Sequence, residues 1–181
     1  MKYFLLSIFI LIFSCNSLDS QKTKSKSKED KNIETHKFSE TEFSNFKEYL
    51  QSNHNITPKD TIIIKYEFNK ETCWDMLDLE DDDYIHGIID GRQKEIDKFN
   101  LLHKDGVAFR IREEGKNFNK VVSLDKRIIV DKSSFLRNLI FKEKNNCGNT
   151  AIILKDGTYY LRKTDPHFDI IQVLNKSKRH D

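Results

Sequence analysis

The chain has 181 residues, 37% hydrophobic and 33% charged, with a formal net charge of +2. That length and apolar content allow one domain with a real core and leave little room for two. Basic residues are interleaved with acidic ones, which argues against the clustered footprint of a nucleic-acid binder.

The chain starts with Met1-Lys2, an apolar run from Tyr3 to Phe13, then Ser14 and Cys15. A lone positive charge before about eleven mostly apolar residues fits a secretory signal and is too short to span a ~30 Å hydrocarbon core. Cleavage is expected, and no later run approaches a membrane-spanning length. Because a small residue precedes Cys15, the stretch Ile12-Phe13-Ser14-Cys15 resembles the lipobox of bacterial lipoproteins, whose cysteine is acylated and becomes the mature N-terminus. Phe13 is bulkier than that motif usually carries. The resemblance implies a domain held on the periplasmic or surface face of a bacterial envelope membrane through acylated Cys15. More than one acyl chain, at roughly 0.8 kcal/mol per buried CH₂, makes such attachment stable. An ordinary signal peptide with an incidental cysteine, and an uncleaved anchor, are the alternatives.

Residues 16–37 are mostly Ser, Lys, Asp and Glu, including the run Lys22 to Lys28, and cannot bury enough surface to fold. They are expected to form a disordered tether with a reach of about 25 Å. A folded domain is then expected over residues 38–175, with a basic tail over 176–181.

Ser39, with Glu42 three residues on, predicts a capped helix whose apolar face is Phe43, Phe46 and Leu50. Thr61 to Phe68 is rich in β-branched and aromatic residues and reads as a central strand buried on both faces. Ile85, Ile88, Ile89, Ile96 and Phe99 then predict a helix ending near Gly106, with Glu80-Asp81-Asp82-Asp83 at its start, where the helix dipole favours negative charge.

Val107, Phe109 and Ile111 predict a second strand, and Val121-Val122 and Ile128 to Val130 shorter ones. Asp131 or Ser133 is expected to cap a helix bearing Phe135, Leu136, Leu139 and Ile140 and stopping near Asn145-Asn146. Thr150 to Leu154, the turn Lys155-Asp156-Gly157, and Thr158 to Leu161 predict a tight hairpin, Asp-Gly supplying positive φ angles. Pro166 is expected to open a last helix with Phe168, Ile171 and Leu174 on its face.

The predicted order is strand, helix, strand, helix, strand, hairpin, strand, helix, an α/β layering with a mixed sheet. With Cys73 just beyond the first core strand, Thr150 to Gly157 as a threonine, apolar strand and Asp-Gly turn, and a short helix after Pro166, residues 60 to 174 resemble the thioredoxin fold. The resemblance implies a mixed sheet flanked by helices, with a C-terminal hairpin and helix. It places Cys73 where thioredoxins carry the attacking cysteine, activated by a helix N-terminus. The departures are specific. The stretch reads Cys73-Trp74-Asp75-Met76, so Met76 replaces the resolving cysteine, and Asn149 stands where the family has a cis-proline; a trans bond is expected there.

The resemblance brings Cys147 beside Cys73. Three readings stay open: a structural disulfide, stabilising by roughly 4 kcal/mol in an exported protein; a redox-active pair; or two free buried thiols.

Other residue types give weaker signals. The acidic run at residues 80–83 lacks the spacing of a calcium loop. His36, His54, His86, His103, His167 and His180 show no metal-ligand spacing. Ser133-Ser134, Asp165 and His167 lack the glycines of a nucleophile elbow. Trp74 is expected to pack in the core rather than line a groove. No cofactor or metal is therefore assigned. The sequence favours a membrane-anchored, non-enzymatic binding or structural module with an unidentified protein partner. Alternatives are a thiol-disulfide oxidoreductase using Cys73 with Cys147, and an immunity or inhibitor lipoprotein.

Overall fold

A computed structural model of the chain describes residues 33–177, with the side chains of residues 173, 174, 176 and 177 excepted. The lipobox with Cys15, most of the tether, His180 and the end of the basic tail lie outside the described residues. No helix among the described residues is long and apolar enough to cross a membrane.

The apolar segment Thr61–Glu67 forms the central strand, numbered β2 because Ile33–Lys37 forms β1 ahead of it. Strand β3 (Gly106–Glu113) runs parallel to β2 and carries β4 (Ile129–Asp131), also parallel, on its outer edge. On the other side β5 (Asn149–Leu154) pairs antiparallel with β2, β6 (Thr158–Arg162) with β5, and β1 with β6. The sheet order is β1-β6-β5-β2-β3-β4. A parallel β2–β3 pair joined by a helical crossover, with an antiparallel hairpin on the far side of β2, is the thioredoxin-like arrangement.

The pleat of β2 sorts its side chains into two chemistries. Ile62, Ile64, Tyr66 and Phe68 enter a large core with Phe46, Tyr49 and Leu50 of helix α1 (Glu40–His54) and with Leu136 of α4 (Phe135–Leu139). On the opposite face Ile63 packs with Ile96 and Phe99 of α2 (Asp82–Leu102) and with Phe168 and Ile171 beside α5 (Asp169–Ser177). Further along that second face the strand presents Lys65 and Glu67, each only 2% exposed. A third, small cluster joins Ile85 and Ile89 of α2 to Val121 of α3 (Lys120–Leu124).

Several local predictions hold in detail. Ser39 caps α1: its hydroxyl accepts from the Glu42 N–H at 3.2 Å while the Glu42 carboxylate accepts from the Ser39 N–H at 2.8 Å. Asp81 caps α2 through the Tyr84 N–H.

Other expectations are corrected. Residues 33–37, assigned to the tether, form edge strand β1; their side chains are largely exposed, so composition reads as linker while backbone pairing to β6 makes the strand. Val121-Val122 lie in α3 because the Asn119 side chain caps it, accepting from the Val122 N–H at 3.2 Å, and a good N-cap outweighs β propensity. Helix α4 ends at Leu139, short of residues 145–146, and α2 ends at Leu102 rather than near Gly106. The hairpin needs one positive φ, at Gly157 (80°), whose N–H closes the turn on the Leu154 carbonyl. Asp156 instead accepts from the Thr158 N–H and hydroxyl. The last helix begins at Asp169, three residues after Pro166, where Asp165 accepts the Asp169 N–H.

Asp131 is fully buried and joins three elements. Its two oxygens accept from the Tyr49 hydroxyl (2.8 Å), the Tyr66 hydroxyl (3.0 Å) and the N–H groups of Leu136 (3.0 Å) and Arg137 (2.8 Å). Burial, followed by the hydrogen bond and charge of Asp131, pushes the Tyr49 phenol well above its ordinary value. Asp131→Ala removes the shared acceptor of four donors, of which the Tyr49 hydroxyl keeps the Lys132 carbonyl at 3.3 Å, so a loss of about 3 kcal/mol is expected in urea unfolding. Asp131→Asn, which keeps one acceptor oxygen, should lose less.

Candidate functional site

Because β5 runs antiparallel to β2, its first residue, Asn149, sits opposite Tyr66 near the end of β2. The loop after β2 and the loop before β5, remote in sequence, therefore meet. Cys73 and Cys147 lie on these two loops and form a disulfide, with Cα atoms 4.9 Å apart and a sequence separation of 74. Both residues are half-buried. The bond excludes the reading as two free buried thiols.

The disulfide is one of several cross-links between the loops. The Cys73 N–H donates to the Asn146 carbonyl at 3.1 Å, and Lys144 Nζ donates to the carbonyls of Asn69 (2.7 Å) and Lys70 (3.0 Å). Glu71, 5% exposed, accepts from the Gly148 N–H at 3.0 Å and from the Phe68 N–H. Gly148 cannot carry a side chain here: a Cβ would run into the Tyr66 carbonyl and lie 2.7 Å from Glu67 Oε2 and 2.8 Å from Lys65 Nζ. Asn149 follows with no cis peptide bond among the described residues.

Burial, reinforced by the neighbouring Glu67 carboxylate, pushes the Glu71 carboxyl from 4.5 up to about 8. The folded protein thus keeps the Glu71 proton over a range in which the unfolded chain has released it, and Glu71 favours folding less as pH rises. Glu71→Gln has no such proton. The stability difference between this variant and the wild type should therefore move in the variant's favour as pH rises from about 4.5 to about 8. Denaturant midpoints at several pH values would measure it, and a pH-independent difference would refute it.

Cys73 stands just before a helix, as expected, but that helix is not the long α2. A short 3₁₀ helix, Asp75–Leu79, follows it, and α2 starts only at Asp82. The extra residues keep the helix dipole from acting on the sulfur, because that effect fades within a turn. Met76, in the position of a resolving cysteine, is 73% exposed.

Trp74 is not a core residue; it is half-buried and walls a cleft of about 350 Å³ between α2 and α5. Arg92 lies over its ring at 4.9 Å, and His167 meets it edge-on at 5.1 Å. Ile88, Phe168 and Ile171 add apolar wall. Ser133-Ser134, Asp165 and His167 do not assemble as a triad. Asp165 is committed to the Thr150 hydroxyl (2.7 Å) and the Asp169 N–H, and neither serine is among its partners.

Beneath the cleft and disulfide lies a buried ion network that composition did not reveal. Arg110, 4% exposed, pairs with Glu67 at 3.0 Å and Asp125 at 2.7 Å. Lys65 Nζ donates to the Asp165 carbonyl at 2.6 Å, and burial pushes its ammonium below its ordinary value. Burial also lowers the Arg92 guanidinium to about 10, which leaves it charged at neutral pH. The available signal was the Lys65-Tyr66-Glu67 alternation continuing a buried strand, with Arg110 alternating likewise on β3. Among the described residues no group of His, Cys, Asp and Glu is arranged to hold a metal ion.

No family model matches the sequence, and no curated protein matches it. Two solved structures share features of its fold. One is a DsbF homologue from Corynebacterium diphtheriae, with 10% identity, covering 66% of this chain and 73% of that one at a TM-score of 0.37. The other is a secreted Mycobacterium tuberculosis disulfide oxidoreductase homologous to E. coli DsbE, with 6% identity, covering 62% of this chain and 78% of that one at a TM-score of 0.36.

Proposed function

We propose that this chain is a lipid-anchored, extracytoplasmic thioredoxin-like module that acts by binding, with Cys73–Cys147 as a structural staple rather than a catalytic pair. The observation that carries the reading is the stitching of the two loops. Lys144, Glu71 and the Cys73–Asn146 bond hold them in register, so the disulfide is one of several links that fix the same two loops. No cysteine follows Cys73 at the Cys-x-x-Cys spacing of a dithiol motif, and the long helix α2 starts only at Asp82, beyond the reach of its dipole on the sulfur. A disulfide also suits an exported domain, in keeping with the signal-like amino terminus. Anchoring through acylated Cys15 would hold the Trp74 cleft near the membrane for a protein partner or a smaller ligand.

Insulin reduction with dithiothreitol as reductant tests the reading, with no rate above background expected from the wild type. Turnover that disappears in Cys73→Ser would establish the second reading, a thiol-disulfide oxidoreductase, which the partial exposure of the disulfide favours. Fatty-acid labelling of the wild type, absent in Cys15→Ser, tests the anchor.

A further inference from the structure

The Trp74 cleft carries a binding assignment that rests on the binding-module reading and narrows it to a ligand class. Its volume of about 350 Å³ lies in the range of small-molecule pockets, roughly 300–1,000 Å³, and most of its wall is apolar. Its cation is Arg92. Among the described residues no carboxylate or carbonyl is hydrogen-bonded or ion-paired to that guanidinium; its one close partner is the Trp74 ring. Glu67 and Asp125 attract it electrostatically from the network below, but both are already paired with Arg110.

The carboxylate of Glu95, also on the cleft wall, is engaged by Asn175, which donates to its Oε2 at 2.9 Å and to its backbone carbonyl at 3.0 Å. Those bonds tie α2 to α5 beside the cleft. A guanidinium over an aromatic face keeps forked N–H donors suited to a carboxylate, and a charged donor set facing a largely apolar space is under-used without one.

We propose that this cleft binds a small carboxylate bearing an apolar or aromatic group. Arg92 receives the carboxylate, and Trp74, Phe168, Ile171 and Ile88 enclose the apolar part.

Trp74 is the chain's one tryptophan, so its emission reports on this cleft directly. The purified full chain is titrated with phenylacetate and with phenylacetamide, which has the same ring and no charge. Phenylacetate is expected to change Trp74 emission saturably, the amide binding about tenfold more weakly or worse because it forgoes the charge-assisted bonds. In Arg92→Gln, with folding checked by circular dichroism, phenylacetate affinity should fall to the level of the amide. Equal binding of acid and amide, or no saturable response to phenylacetate, overturns the assignment. The wild-type comparison decides the matter even if the variant fails to fold. Insulin turnover would sink the binding-module reading, whereas a silent titration without turnover sinks only the ligand class.

Discussion

Removing the Cys73–Cys147 disulfide is expected to lower stability by about 4 kcal/mol, the entropic value for a closed loop of this size. The separation of 74 residues takes in α2, β3, β4 and the short helices between them, so reduction frees a large part of the unfolded chain. The native loops keep Lys144, Glu71 and the Cys73 N–H bond in place, so the loss falls mainly on the unfolded side of the equilibrium. For a domain of this size the melting temperature should drop by roughly 10 °C. Melting the Cys73→Ser/Cys147→Ser double variant beside the oxidised wild type measures it. Coincident curves would show that the bond does not staple the domain.

Arg110→Ala is expected to cost about 3–5 kcal/mol, because it leaves buried carboxylates without their cation. Glu67 loses its salt bridge and is left with the nearby charge of Lys65, while Asp125 is left with Arg127 at 3.1 Å. Arg127→Ala is the control: its side chain is 44% exposed, its partner Asp90 is exposed, and the buried Asp125 keeps Arg110, so the loss should stay under about 1 kcal/mol. Urea midpoints of the two variants test the contrast, and similar losses would mean that burial does not set the strength of these pairs.

Much of the fold was written in local patterns. The Ser39–Glu42 capping box, the apolar run of β2, the periodicity of α2 and the Asp-Gly hairpin each depend on near neighbours, and each forms as expected. The misses share one cause. Strand β1 is exposed and polar because an edge strand is made by backbone pairing to β6, which composition does not record. Val121-Val122 follow the Asn119 cap against their own preference. Trp74 was assigned to the core from its residue type alone, whereas it walls a cleft between α2 and α5, helices that only the fold brings together.

The site divides in the same way. The cysteine pair could be suspected only from the thioredoxin resemblance, which places the loop before β5 at the end of β2. The cleft had no local signature, and the ion network only an ambiguous one. Lys65, Glu67 and Arg110 alternate along their strands as solvent-facing residues would.

By itself the sequence determined the mixed α/β layering with its main strands and helix starts, because hydrophobic period, caps and turns act over a few residues. Tertiary structure alone decided that charged side chains are buried beneath α2, that Trp74 and Arg92 face one space, and that Cys73 bonds Cys147 away from the start of α2. Those outcomes depend on which surfaces meet when helices close over a sheet, and burial is a property of the assembled layers that no short stretch of chain specifies.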